Sequence, residues 1–295
     1  MEINRRKVHQ VGQSSLASFI DSTLEFDVGS ALFFGDLKLE NLEDFFPLLE
    51  NLKIRAIKEG KRKLVGPLNE STFFDYRLKM NFFDESKYIG EPQNSERLLH
   101  VFEKAGFRNI KMYFSHEFKI AQRLLILWLG GPGLLARIWM YLKGYRVERL
   151  TESKLLANYK ALHQIIHEIF SSNFLYAPIS DDQFLDLVKS RYADNIQELG
   201  SCLLISPAGD CVGFNLCLKD SAKPDRILFK AHGVKKAHRF RGAASMALMS
   251  KSFYALVGKY RYCLACLTIQ GSRVDGHFHS MSQKHYEYGL FELIL

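Results

Sequence analysis

Between Val234 and Leu248 the chain reads Val-Lys-Lys-Ala-His-Arg-Phe-Arg-Gly-Ala-Ala-Ser-Met-Ala-Leu, an apolar strand that ends on a basic turn and continues as a helix. This segment constrains the fold most, because the first N–H groups of a helix have no intrahelical partner and must be satisfied by something else. Arg239 and Arg241 add positive charge beside the helix dipole, and Gly242 and Ala244 keep side chains out of the way. The turn therefore suits an anion brought close to the backbone, such as a pyrophosphate. An ordinary basic helix N-terminus satisfies the same six residues, so the surroundings decide. Strands are predicted over 201–206 and 211–218 with the turn Pro207-Ala-Gly-Asp between them, and a third over 225–234. A helix follows over 243–257 and a buried strand over 261–269.

The spacing Arg239-x-x-Gly242-x-Ala244 resembles the loop by which acetyltransferases of the GNAT superfamily hold the pyrophosphate of coenzyme A. It lacks the patterns of the dinucleotide fingerprint and the P-loop. Strand, turn, strand, strand, anion loop, helix, strand is also the order of the GNAT acyl-CoA-binding core. The resemblance implies that Val234, Arg239, Phe240, Arg241, Gly242, Ala243, Ala244 and Ser245 form the acyl-CoA site.

A fainter echo lies in the amino half. Strands are predicted over 30–37, 63–68 and 110–115, with helices over 40–59 and 96–105, the second capped by Gly106. Asn94-Ser-Glu-Arg-Leu-Leu-His-Val-Phe-Glu-Lys-Ala-Gly-Phe resembles a common GNAT ending. The expected fold is thus α/β with mixed sheets, two tandem GNAT-like domains over 1–145 and 146–295, the first degenerate and closed by an apolar connector over 118–145. In that first domain Leu37-Lys-Leu-Glu-Asn-Leu-Glu-Asp puts acidic residues where phosphates would sit, so it is not expected to bind coenzyme A.

Gly66-Pro-Leu-Asn-Glu-Ser-Thr, then Tyr76-Arg77 and Glu91-Pro-Gln-Asn, resemble the bacterial ceramide synthase-like family of tandem GNAT proteins. The likeness continues through Asn173-Phe-Leu-Tyr-Ala-Pro-Ile-Ser-Asp-Asp-Gln-Phe, Val212-Gly-Phe, Lys230-Ala-His-Gly-Val and Tyr286-Glu-Tyr-Gly-Leu-Phe-Glu-Leu. It implies transfer of an acyl group from acyl-CoA to the amine of a small apolar or amphipathic acceptor, such as a long-chain amino alcohol. His232 is the candidate base, on the same strand face as Val234, and a histidine hydrogen-bonded in the core is the competing reading. Tyr286 and Tyr288 are candidate acids for the leaving thiolate, or core residues alternating on one face. Residues 271–284 show no helical stripe, so the usual GNAT register there is lost. The alternative to an enzyme is a non-catalytic lipid- or acyl-CoA-binding protein that keeps the fold, because Ala243-Ala244 replaces the usual x-Gly and no carboxylate base is evident.

Composition bounds the rest. With 295 residues, 47% of them hydrophobic and 24% charged, the chain has room for two domains, and its formal charge of +8 favours acidic partners. Without zinc-finger spacing, ribonucleoprotein aromatics or a basic tail, nucleic acid is not expected. Five cysteines and no apolar leader predict reduced thiols in a cytoplasmic protein. No metal is expected: Cys263-x-x-Cys266 has no second pair, and His163 and His167 lack the H-E-x-x-H arrangement and are read as a solvated helix face. The Phe pairs at 33–34, 45–46, 73–74 and 82–83 suit a core or an acyl channel. The apolar run 124–136, with Trp128, Trp139 and Tyr141 and basic ends, is too short to span a bilayer. It is read as a contact with a membrane interface over 124–141, on the inner face, or as a buried helix pair broken at Gly130.

Overall fold

The computed structural model describes residues 6–295, so the first five residues of the amino-terminal reading lie outside it. Two compact units result: Met1–Tyr113 with Asn173–Pro178 and Tyr286–Leu295, and Phe114–Ser172 with Ile179–His285. The division therefore differs from a single break at residue 145. The connector belongs to the second unit, and the last strand returns to the first.

The first unit runs through β1 (Lys7–Val11), β2 (Ser14–Phe19), α1 (Ser22–Val28), β3 (Ala31–Lys38) and α2 (Phe45–Lys58). It continues with β4 (Lys63–Gly66), β5 (Leu78–Lys79), α3 (Glu96–Lys104) and the start of β6 (Arg108–Lys119). The second unit holds α4 (Arg123–Leu125), α5 (Gly131–Leu142), β7 (Arg146–Arg149), α6 (Glu152–Ala157), α7 (Tyr159–Phe170) and α8 (Asp181–Leu187). Then come β8 (Cys202–Ile205), β9 (Cys211–Lys219), β10 (Arg226–Val234), α9 (Ala243–Leu256), β11 (Tyr262–Ile269) and α10 (Arg273–Met281). The chain closes with β12 (Lys284–Ile294).

In the first unit β1, β2 and β3 pair antiparallel, β3 and β4 parallel, and β12 antiparallel to both β4 and β5. Phe34, Phe45, Phe102, Phe107 and Phe291 fill the core, with Phe45 stacked on Phe102 at 4.8 Å. The first Phe pair and Phe45 are thus buried packing residues; Phe73, Phe74 and Phe83 are half-buried and Phe82 is exposed.

The structure gives the Gly-Pro-x-Asn segment a local role. The parallel pairing of β3 with β4 ends at Phe33↔Val65, and the backbone beyond Gly66 stays bound to β3 through Leu68 N–H to the Phe34 carbonyl, 2.8 Å. Asn69 Oδ1 then accepts from Asp36 N–H at 2.7 Å. Gly35 permits this, since a Cβ there would overlap the Asn69 amide and the Leu68 carbonyl. The first unit therefore fills the gap between its parallel strands with its own chain. Its α2 N-terminus carries Glu43 and Asp44 in the preceding turn, and Asp44 accepts from Ser14 Oγ at 2.6 Å.

In the second unit the order is β11-β10-β9-β8-β7, antiparallel throughout except for β10 with β11. Helix α9 buries Ala244, Ala247, Leu248 and Phe253. Residues 126–130 link α4 to α5 as a π-helical stretch ahead of Pro132. Side chains of α9 bind two carbonyls of this stretch: Ser250 Oγ donates to Leu129 O at 3.0 Å and Tyr254 Oη to Gly130 O at 2.8 Å. The run is one interrupted helix packed on α9, with Gly133 against Ser250, rather than a helix pair broken at Gly130. No helix among the described residues is long and apolar enough to cross a membrane.

Candidate active site

The second unit opens where the first is filled. Pairing of β10 with β11 covers Arg226–Phe229 against Tyr262–Ala265 and stops, although β10 continues to Val234 and β11 to Ile269. A bulge on β10 coincides with the parting: Phe229 faces Cys217 on β9, and Ala231 faces the next residue, Leu216, which leaves Lys230 extra. On β11, Leu267 has a positive φ of 59°, and its N–H donates to Ser115 Oγ at 3.0 Å. Two parted parallel strands leave backbone groups on their facing edges without a ladder partner, and such N–H groups are donors for a ligand carbonyl.

His232 lies on the parted half of β10. Its residue is half-buried, while both ring nitrogens are shut off from solvent and have no hydrogen-bond partner among the described residues. Burial pulls its pKa down to about 4. The imidazole is therefore neutral near pH 7, with its lone pair available. The competing reading, a histidine satisfied by core hydrogen bonds, is not what the site shows.

The basic loop begins where β10 ends, at Val234, whose carbonyl accepts from Arg239 Nε at 3.0 Å. Phe240, Arg241 and Gly242 then take φ of 44°, 53° and 100° in succession. Two consecutive non-glycine residues in the left-handed region are strained, and such strain concentrates at ligand-binding turns. Gly242 ends the turn as the N-cap of α9, with no capping side chain, and a Cβ there would meet open space. Arg239 and Arg241 are exposed beside it; Ala243 and Ser245 are half-buried and Ala244 is buried. A helix N-terminus without a side-chain cap, flanked by two exposed arginines of which Arg239 is steadied by the Val234 carbonyl, fits a phosphate-bearing ligand.

Phe240 leads from the loop to α5, with its ring edge-on to Trp139 at 5.4 Å and to Tyr145 at 5.5 Å. α5 turns Gly133, Ala136 and Met140 inward. Its other face is apolar and open: Leu135 is 67% exposed, Tyr141 72% and Leu142 76%, with Leu127 at 70% in the preceding turn. A small apolar cavity is lined by Phe118, Leu129, Phe229, Phe253, Leu256 and Phe278.

Tyr286 and Tyr288 belong to the first unit, and the loop and His232 to the second. Tyr286 Oη donates to Glu85 Oε2 at 2.8 Å, and Tyr288 Oη to Glu91 Oε1 at 2.7 Å. Glu91 also pairs with the buried Lys79 at 3.2 Å. Burial, with Tyr88 and Glu91 beside it, holds Tyr288 well above the ordinary phenol range. In the same unit the Tyr76-Arg77 pair of the resemblance is buried: the Arg77 guanidinium lies 3.6 Å from the Tyr76 ring and 4.2 Å from that of Tyr113, and its Nε and Nη1 have no acceptor among the described residues.

The remaining candidates resolve simply. Cys202, Cys211, Cys217 and Cys263 are buried thiols pushed up by burial, unsuited to redox chemistry. His163 is not on a solvated face as expected: it is buried, stacks on Phe184 at 4.6 Å and meets Asp181 Oδ1 through Nδ1 at 2.7 Å.

No protein-family model matches the chain, and no curated protein matches it. Solved structures do. A tandem GNAT protein from the clavulanic acid biosynthesis pathway superposes with a TM-score of 0.50 at 11% identity, covering 98% of this chain and 82% of that one. A conserved protein of Enterococcus faecalis V583, described as a probable N-acyltransferase, gives 0.52 at 8% identity over 95% of this chain and 58% of its own. At such identities the likeness is one of fold, and the fold of this chain is the tandem GNAT fold, an α/β architecture with mixed sheets.

Proposed function

We propose that the chain is an acyl-CoA-dependent N-acyltransferase whose second unit does the chemistry. The observation that carries this is the parting of β10 from β11 directly ahead of a strained, arginine-flanked helix N-terminus. In this reading residues 239–245 hold the pyrophosphate, and N–H groups on the parted strand edges bind the thioester oxygen. The acceptor nitrogen bonds to the acyl carbon, the carbon–sulfur bond breaks, the ammonium proton leaves to a base, and the thiolate takes up a proton. In this reading His232, on the parted half of β10, accepts a hydrogen bond from the amine once the acceptor displaces the groups that shut its ring nitrogens off from solvent. With its pKa near 4 it is a weak base, so ordered water passing the proton onward is part of the same proposal. Tyr288 is ill-suited to the acid role, since proton transfer from a phenol held well above its usual range to a thiolate of pKa about 8.5 runs uphill. Solvent remains for it.

The acceptor we infer is amphipathic, a long-chain amino alcohol of the kind the ceramide synthase-like resemblance implies. The exposed apolar face of α5 supports this: with Arg137 on the helix and Lys143 after it, it suits the inner-leaflet interface of a membrane, and it touches the loop through Trp139 and Phe240. The test is release of free thiol from acetyl-, octanoyl- and palmitoyl-CoA with a long-chain amino alcohol in vesicles, read with a thiol reagent, alongside calorimetric CoA binding. Turnover that needs both partners supports the proposal. Tight acyl-CoA binding without turnover for any amine tried would support the non-catalytic alternative.

A further inference from the structure

At α10, Asp275, His279 and the nearby His285 meet His116, a residue distant in sequence. His116 on β6 is fully buried; its Nε2 meets Asp275 Oδ1 at 2.9 Å and its Nδ1 meets His285 Nδ1 at 3.0 Å. Asp275 is itself fixed, with Oδ2 accepting from Gly271 N–H at 3.0 Å and Oδ1 from the Thr268 hydroxyl at 3.3 Å. A carboxylate can only accept from the ring, so the proton of His116 is assigned to Nε2 and the Nδ1 lone pair points toward His285. His279, exposed in the last turn of α10, stacks on His285 with ring centroids 4.3 Å apart. One nitrogen from each of the three histidines lies within 4.8 Å of the others.

We propose that His116, His279 and His285 form a divalent-metal site of the zinc type, with Asp275 orienting His116 from behind. Imidazole nitrogens select zinc and neighbouring transition metals over magnesium or calcium, and a carboxylate on the far nitrogen is the usual backing for a metal-bound histidine. Around tetrahedral zinc, nitrogen ligands at about 2.0–2.1 Å lie about 3.3 Å from one another. The His116–His285 distance is already close to that value, and the remaining approach falls to the exposed His279 side chain. Three protein ligands leave a fourth position for water. The expectation of no metal rested on sequence spacing, which cannot show this convergence. The site stands independently of acyl transfer, since every residue in it lies outside the loop and the parted half of β10.

The test uses full-length protein without a histidine tag, stripped with chelator and titrated with Co²⁺, then Zn²⁺. The expected result is a visible absorption spectrum of four-coordinate cobalt, displaced by zinc, with a rise in melting temperature that grows with free zinc. Asp275→Asn should weaken binding about 10- to 100-fold. His279→Ala, a surface change that leaves the core intact, should abolish the cobalt bands while leaving the metal-free urea midpoint unchanged. Octahedral cobalt only, or zinc affinity equal in wild type and His279→Ala, would overturn the proposal and leave the cluster a His–His–Asp hydrogen-bond chain.

Discussion

Replacing His232 by leucine separates two things its environment couples, stability and protonation. Both ring nitrogens are buried without partners, so the wild type carries the cost of unsatisfied polar groups, about 1–3 kcal/mol. An apolar side chain of similar size should remove that cost, and His232→Leu is expected to be more stable than wild type near neutral pH. The gap should widen in acid. The folded-state pKa, about 4, lies below the unfolded value of 6.5, so as pH falls the unfolded chain takes up the proton first. Stability from this group is fully present above the unfolded pKa, is lost between the two values, and changes no further below the lower one. The two pKa values give a loss of about 1 kcal/mol by pH ~5.5 and about 3 kcal/mol by pH ~4. His9, pulled down to about 4 by burial with help from Lys7 and Arg55, titrates in both proteins and cancels in the difference. Urea unfolding followed through Trp128 and Trp139, both in the second unit, reads the comparison at neutral, mildly acidic and acidic pH. Parallel stability curves for the two proteins would refute the reasoning, because they would mean that the imidazole titrates alike folded and unfolded. If His232 also receives the acceptor's proton, the variant should lose about 10²- to 10⁴-fold in kcat with CoA affinity kept.

Gly242→Asp should abolish CoA binding by charge, and Gly242→Ala should cost about 1–2 kcal/mol of loop strain, because φ at 100° suits glycine although the space is open; calorimetry and urea melts read the two effects, and unchanged CoA affinity in the aspartate variant argues against the loop assignment. Replacing Leu127, Leu135 and Tyr141 together by glutamate should remove vesicle binding in a flotation assay with little loss of stability, since these side chains are exposed; undiminished flotation would exclude this face. Asp220→Ala should destabilise the second unit by about 3–5 kcal/mol, because Arg226, 1% exposed, is held by Asp220 and Glu117 at 2.6 Å each and would keep a buried charge half-paired; a loss below 1 kcal/mol in urea, on the scale of a surface pair, would mean water reaches the guanidinium.

The sequence by itself determined the run from β8 to β11 and the basic turn that opens α9, because those signals are local. Apolar strands, the Pro207-Ala-Gly-Asp turn and a glycine at a helix start read the same in isolation as in the structure, and the observed bounds differ from the expected ones by a residue or so. The amino half shows the same limit from the other side. Its Gly-Pro-x-Asn segment was legible as a motif, yet that Asn69 closes the gap beside β3 depends on a contact across 33 residues. α10 escaped the periodicity test because its apolar face is short. The signal that would have found it is Ser272 three residues before Asp275, whose N–H it caps at 3.1 Å. Only tertiary structure could decide the rest. The boundary between units is not a point in the chain, because β12 returns to the first unit after the second is built. The protonation of His232 and the meeting of His116, His279 and His285 depend on which groups are shut away from water together. Burial and long-range register set that, and neither is written in the spacing of neighbouring residues.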